Sequence, residues 1–153
     1  MSKTTGNRGA FLDAIAWAEI GPALLAASDD GYNVLVGGKL FTGYQDHPRQ
    51  LVRLSATLSS TAAGRYQLLS RYFDPYAKQL RLQSFGPAEQ DAIALQQIKE
   101  QRALPDVDAG RFDLAVAKVR NIWASLPGAG YGQHEHEIGP LRVAFTRAGG
   151  MLA

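Results

Sequence analysis

Tyr32-Asn33-Val34-Leu35-Val36-Gly37-Gly38-Lys39-Leu40-Phe41-Thr42 is the stretch that decides the fold class. Two short apolar-rich runs flank a Gly-Gly pair, and glycine reaches the positive φ angles that a tight hairpin turn needs. The stretch predicts a β-hairpin. Working outward, the sequence on either side reads as helix. Upstream, residues 9–20 place Phe11, Ile15 and Ala18 on one helical face before Gly21-Pro22 stops the run. Between that break and the hairpin, Ala23-Leu24-Leu25-Ala26-Ala27 has helical character while Ser28-Asp29-Asp30-Gly31 has turn chemistry.

Downstream, residues 43–63 are rich in Gly, Asp, Ser, Thr and Ala, and predict a third short strand at most, inside a long loop. Helical segments follow at 65–72, from Asp74-Pro75 to Leu80 or Leu82, and at 87–101 with Ile93, Leu95 and Ile98 facing inward. Another helix starts at Asp108 or Gly110 and carries Leu114, Val116, Val119, Ile122 and Trp123 as apolar bulk to bury. Pro127-Gly128-Ala129-Gly130-Tyr131-Gly132 predicts a loop, and residues 139–148 a last helix. There is no internal repeat. A helix, a small antiparallel β unit and then helices make an α+β fold with segregated strands.

The 153 residues, 46% of them hydrophobic, suit a single domain spanning residues 1–153 with its own core. A formal charge of +2 with a pI near 9.0 gives a mild attraction to polyanions, and neither a basic helix interleaved with aromatics nor a single-sign block supports nucleic-acid binding. The absence of cysteine removes disulfides and thiolate metal sites, and leaves the redox compartment open. Lys3 and Arg8 before an apolar stretch loosely suggest a secretory signal, but Asp13 and Glu19 would sit inside its apolar region. No cleaved signal and no membrane span are therefore expected.

Glu19 is the chemically pointed residue. It closes the run Phe11-Leu12-Asp13-Ala14-Ile15-Ala16-Trp17-Ala18, and a carboxyl packed against apolar and aromatic surface loses hydration and holds its proton. Local sequence by itself favours a solvated glutamate on the outer face of an amphipathic helix, because apolar neighbours in sequence do not establish burial. Asp29 and Asp30 are candidates for a second carboxylate, but Asp29-Asp30-Gly31 reads first as turn chemistry. His134-Glu135-His136 and His47 raise the question of a metal, yet histidines at i and i+2 share a side only on a strand, and no further ligand cluster supports them. Solvated loops and no metal or cofactor are expected. Gly37-Gly38 and Gly128-Ala129-Gly130 lack the spacing of a phosphate loop.

Several segments in register resemble the lambda-type phage endolysins: Ala10-Phe11-Leu12-Asp13, Ala16-Trp17-Ala18-Glu19, residues 32–41, Asp46-His47-Pro48-Arg49, Gly64-Arg65-Tyr66-Gln67-Leu68-Leu69-Ser70-Arg71, residues 94–100 and residues 121–133. The resemblance runs from about residue 8 to 150. It implies a lysozyme-like fold, with a small β subregion beside a mostly helical lobe and the active-site cleft between them. It also implies a monomer that cleaves the β-1,4 bond from N-acetylmuramic acid to N-acetylglucosamine in peptidoglycan glycan strands. The family acts as a lytic transglycosylase leaving a 1,6-anhydromuramyl end. Its catalytic carboxylate falls on Glu19, and Gln67, Tyr131, Ser60, Gly128 and Gly130 fall on substrate-contacting positions, with residues 55–61 and 128–137 as two lips over the groove. Tyr66 is assigned to the core. The family further implies synthesis in the host cytoplasm, no stable membrane association, and action on the periplasmic wall after a separate protein permeabilises the membrane. A hydrolytic muramidase using Asp29 or Asp30, or a wall-binding module that has lost catalysis, are the alternatives.

The resemblance is broken beside the acid itself. Ile20 stands where the family usually has glycine, and Gly21-Pro22-Ala23-Leu24-Leu25-Ala26-Ala27 replaces a polar loop. The added apolar bulk either holds Glu19 more dehydrated or reshapes the entrance to the cleft.

Overall fold

The computed structural model describes residues 4–130 and 135–153. The described residues form α1 (Gly6–Glu19), α2 (Pro22–Ala27), β1 (Val52–Arg53), β2 (Ser59–Ser60), α3 (Ser70–Leu80), α4 (Pro87–Glu100), α5 (Leu104–Asp108), α6 (Phe112–Val119) and α7 (Ile138–Arg147). Their contacts group into two compact units, residues 20–93 and residues 1–19 with 94–153, so the division falls within α4.

In the larger helical unit, α1 packs against α5 and α7. Its buried residues are Gly9, Ala10, Phe11, Leu12, Ala14, Ile15, Ala16 and Ala18, which lie nearly all round the helix rather than on the one face expected. A helix apolar on every side is a core helix. Phe11 meets the Phe112 ring edge-on at 5.7 Å, and Phe112 meets Phe145 at 4.8 Å, so one aromatic column joins α1, α6 and α7. The Asn7 amide donates to the carbonyls of Val107 and Met151, and its oxygen accepts from the Met151 N–H, fastening the start of α1 to the C-terminal segment.

Residues 20–93 hold all the described β structure. Gly37 and Gly38, at φ 89° and 103°, reverse the chain as the hairpin reading requires. The ladder is nevertheless minimal. Leu35 N–H bonds Lys39 at 2.7 Å and Phe41 N–H bonds Asn33 at 2.9 Å, leaving one bridge, Val34 with Leu40. On its other edge the same segment pairs with residues 62–64, through Val36 N–H to Ala62 and Gly64 N–H to Val34. Divided between two partners, residues 34–36 form no regular strand. The two strands that do form, β1 and β2, pair antiparallel with Val52 opposite Ser60, inside the segment where one strand at most was expected.

Several helix boundaries differ from the sequence reading. Gln67 has φ 53° and sits in a turn, so the segment 65–72 is not one helix. Pro75 lies inside α3 instead of opening a new helix, because Phe73, Tyr76, Ala77 and Leu80 all pack on the core of Leu35, Phe41, Ala63, Leu68 and Phe85. That burial offsets the one backbone bond proline removes. Trp123 is buried but lies beyond the end of α6, while Leu114 is exposed. The residues 104–108 form α5, which the sequence reading did not separate from the loop before α6.

A polar cluster completes residues 20–93. The Arg65 side chain is 2% exposed, with its Nε donating to the Asp30 carbonyl at 2.9 Å and its Nη1 to the Tyr66 hydroxyl at 3.1 Å. Its guanidinium lies over both Tyr32 and Tyr66. The two tyrosine hydroxyls donate to the same Asp91 oxygen, at 2.9 and 2.6 Å. The Gln90 amide bonds the carbonyls of Tyr32 and Phe85 and accepts from the Arg65 N–H. Gly64 is required beside it: φ is 87°, and a Cβ there would come within 2.5 Å of Gln90 Oε1 and 2.9 Å of the Phe85 ring. Tyr66 is a core residue, as expected.

Candidate active site

Glu19 is the last residue of α1, so the apolar burial that fixes the helix also carries its carboxyl into poorly hydrated surroundings. The residue as a whole is half-buried. Burial pushes this carboxyl up to about 7 from an ordinary 4.5, and the neighbouring Ser125 hydroxyl draws it part of the way back. At neutral pH both protonation states are therefore populated. Ser125 stands beside the carboxyl without reaching full hydrogen-bond geometry, and its Oγ is buried with no partner among the described residues.

His136 packs against the end of α1. Its backbone N–H donates to the Ser125 carbonyl at 2.9 Å, its Nε2 lies 3.2 Å from the Ala18 carbonyl, and its ring packs on Trp17 at 4.8 Å between centroids. Ala18 has one of the carbonyls that an α-helix leaves without an internal partner at its C-terminus, so the imidazole caps α1 next to Glu19. Glu135 organises the glycine loop: its two carboxylate oxygens accept from the N–H groups of Gly128 at 2.9 Å and Gly130 at 2.8 Å. Those bonds hold the Glu135 carboxyl below the usual range. The sequence reading missed Ser125, Glu135 and His136. Glu135 and His136 were considered only as metal ligands in a solvated loop, although Glu135 five to seven residues after two loop glycines is a spacing that can bridge back to them.

Gly128 and Gly130 thus direct their N–H groups to Glu135. Tyr131 and His134 lie outside the described residues. In the other unit, Ser60 ends β2 and its Oγ accepts from Ala62 N–H at 3.1 Å, leaving the hydroxyl proton to donate elsewhere. Gln67 is a turn residue and not a helix-surface glutamine. Its amide nitrogen donates to Gly64 at 2.8 Å and Val34 at 3.3 Å, so Oε1 is the atom these bonds leave for a ligand.

Asp29 and Asp30 both have structural partners. The Tyr44 hydroxyl donates to Asp29 at 2.5 Å, and Arg65 binds the Asp30 carbonyl and reaches its carboxylate at 3.4 Å. The turn is built as expected around a positive φ at Asp30, but Ser28 and Asn33 side chains, rather than the two aspartates, cap its backbone N–H groups. His47 corrects the solvated-loop reading. It is 2% exposed, its Nδ1 accepts from Arg49 N–H, and its Nε2 lies 2.8 Å from the Leu68 carbonyl, to which it must donate. Both ring nitrogens are used in a neutral imidazole wedged between Phe73 and Phe85, and burial lowers its proton affinity. The stretch after Ile20 forms the short helix α2, with none of its residues fully buried.

The family model for endolysins matches residues 9–152 of the chain. The chain belongs to the endolysin family. It is 54% identical over 153 residues to the endolysin of Escherichia phage lambda, covering 99% of this chain and 97% of that one. The endolysin of Escherichia phage P2 is 43% identical over 160 residues, covering 98% and 97%. Among solved structures, bacteriophage lambda lysozyme complexed with a chitohexasaccharide superimposes with a TM-score of 0.94 at 53% identity, and a second lambda lysozyme structure with 0.88 at 51%, each over the full length of both chains. This endolysin accordingly has the lysozyme-like α+β fold and is an enzyme that degrades peptidoglycan.

Proposed function

We propose that this endolysin cuts peptidoglycan as a lytic transglycosylase, with Glu19 as general acid and then general base. The observation that carries the reading is the dehydrated carboxyl at the end of α1, poised at about 7. A group balanced there gives its proton to the leaving glycosidic oxygen and, as a carboxylate, takes one back. The C6 hydroxyl of the muramyl sugar is the nucleophile. It sits in the same molecule as the bond being broken, so proximity supplies what an activated water would otherwise need. The O6–C1 bond forms as the C1–O4 bond breaks, the O4 oxygen leaves with the proton of Glu19, and the C6 hydroxyl proton passes to Glu19, restoring the acid.

Glycoside hydrolysis instead calls for a second carboxylate to act as nucleophile or to activate water. Asp29 and Asp30 are the candidates for that muramidase alternative, and their ties to Tyr44 and Arg65 favour the single-carboxylate route. Products separate the two readings. Mass spectrometry of muropeptides released from purified sacculi is expected to find anhydro ends, one water lighter than reducing ends; reducing ends throughout would overturn the transglycosylase reading.

The chitohexasaccharide on a 53% identical relative supports a glycan strand as the ligand here. Gln67 Oε1 would accept from a sugar hydroxyl or acetamide N–H and Ser60 would donate. Gly128 and Gly130, tied to Glu135, would shape the strand's path, and Tyr131 would lie against a sugar face. Among the described residues no helix is long and apolar enough to cross a membrane. The endolysin would act as a monomer, made in the host cytoplasm and reaching the wall after another protein opens the membrane. Because the reaction begins with protonated Glu19, kcat/KM on sacculi is expected to fall as pH rises through about 7. A rate still climbing well above that pH would contradict an acid role.

A further inference from the structure

We propose that Ser125, held in place by His136, is a positioning residue that donates its hydroxyl hydrogen bond to the Glu19 carboxylate once that group has given up its proton. The inference rests on the reading of Glu19 as acid and base.

The first observation is the Ser125 hydroxyl itself, whose oxygen is buried and lacks a hydrogen-bond partner among the described residues. A buried hydroxyl left unpaired forfeits its hydration without compensation, so such a group calls for a reason. The group next to it is the Glu19 carboxyl. A neutral acid gains little from a neighbouring hydroxyl. A carboxylate attracts the same O–H strongly, because charge-assisted hydrogen bonds are shorter and about twice as strong as neutral ones. The contact therefore strengthens once the proton has left, which is when the reaction needs the charge stabilised.

The second observation is how Ser125 is held. His136 bonds the Ser125 carbonyl through its backbone, faces the Ala18 carbonyl through its ring, and packs on Trp17. One residue thus ties the segment carrying Ser125 to the helical turn carrying Glu19. Several other charged groups of this unit are paired elsewhere or exposed. On α5, Asp106 pairs with Arg111 and Lys118, and Asp108 pairs with Arg8 near the opposite end of α1. On α7, Arg142 pairs with Asp113, Glu137 is exposed at the helix cap, and Arg147 is exposed at its end. Glu135 is bound by glycine N–H groups, with Arg120 beside it. Asp13, on α1 itself, lies six residues before Glu19, about 9 Å along the axis. Among the described residues, Ser125 is the polar side chain placed beside Glu19, and His136 is tied to both Ser125 and Ala18.

The test is a direct titration of the Glu19 carboxyl by carbon-13 NMR on the full chain labelled at glutamate, which reads proton affinity whether or not the variant is active. Ser125→Ala is expected to raise the midpoint by about 0.5–1 pH unit, from loss of the hydrogen bond to the charged form. Ser125→Thr, which keeps the hydroxyl, is expected to restore it. His136→Phe keeps a ring on Trp17 but loses the donor to Ala18, and is expected to move the midpoint in the same direction. The alkaline limb of kcat/KM on sacculi should move with the midpoint. An unmoved midpoint in either Ser125→Ala or His136→Phe overturns the assignment. A midpoint that moves while the kinetic limb stays still leaves the Ser125 contact intact and counts against Glu19 as the acid, so the two failures are distinguishable.

Discussion

Glu19→Gln is expected to abolish lysis, with a loss of at least about 10³-fold in kcat/KM on purified sacculi. General acid catalysis alone is worth about 10²–10⁴-fold, and here the same group is asked to act twice, as acid and then as base. Glutamine keeps the size of the side chain and neither donates nor accepts a proton on this path. The variant is expected to remain folded, and its stability profile is the second half of the prediction. In the folded enzyme the carboxyl titrates at about 7, and in the unfolded chain near 4.5. Its proton-linked contribution is therefore fully present below the unfolded value and is lost as pH rises through the folded one. From the acid side to well above neutrality this amounts to roughly 3 kcal/mol for a shift of that size, as an order of magnitude. Glutamine carries no charge to bury, so the variant should approach or exceed the wild type in urea unfolding above about pH 8, relative to its standing near pH 4. Near-wild-type turnover by Glu19→Gln would sink the catalytic assignment, and parallel stability curves would sink the account of the burial.

Arg65→Met is expected to cost about 3–5 kcal/mol of stability in urea unfolding at neutral pH, a magnitude typical of removing one partner from a buried charged network. Methionine retains much of the stem but none of the donors. The Asp30 carbonyl and the Tyr66 hydroxyl each lose a bond, and the buried Asp91, to which Tyr32 and Tyr66 both donate, loses the cation stacked on those rings. Arg65→Lys should recover only a part, since an ammonium cannot reproduce a planar fork that bonds and stacks at once. A change below about 1 kcal/mol in Arg65→Met would mean that the network is idle. The network braces the turn containing Asp30 and the segment leading to Gln67.

How far the sequence was legible depended on whether a signal was local. The Gly37-Gly38 reversal was visible because glycine pairs encode a turn through their own backbone freedom. The pairing of residues 34–36 with residues 62–64 was not, since nothing in either segment names the other. Pro75 reads as a helix start by local rules, and burial of Phe73 and its neighbours overrode them. His47 reads as a loop histidine and is a core residue, because two backbone partners supplied by the fold satisfy both of its nitrogens.

The same division holds at the site. The sequence by itself determined the α+β class and the apolar helix that ends in Glu19, and its resemblance to the lambda-type endolysins implied the register that singles this carboxylate out. All of these are properties of nearest neighbours along the chain or of whole segments in order. Only the tertiary structure decided the surroundings of that carboxyl: Ser125 brought beside it, and His136 set against Ala18 and Trp17 at the end of the same helix. Proton affinity depends on dehydration and on the dipoles within a few ångströms, and Ser125, more than a hundred positions away in the chain, supplies one of those dipoles for Glu19.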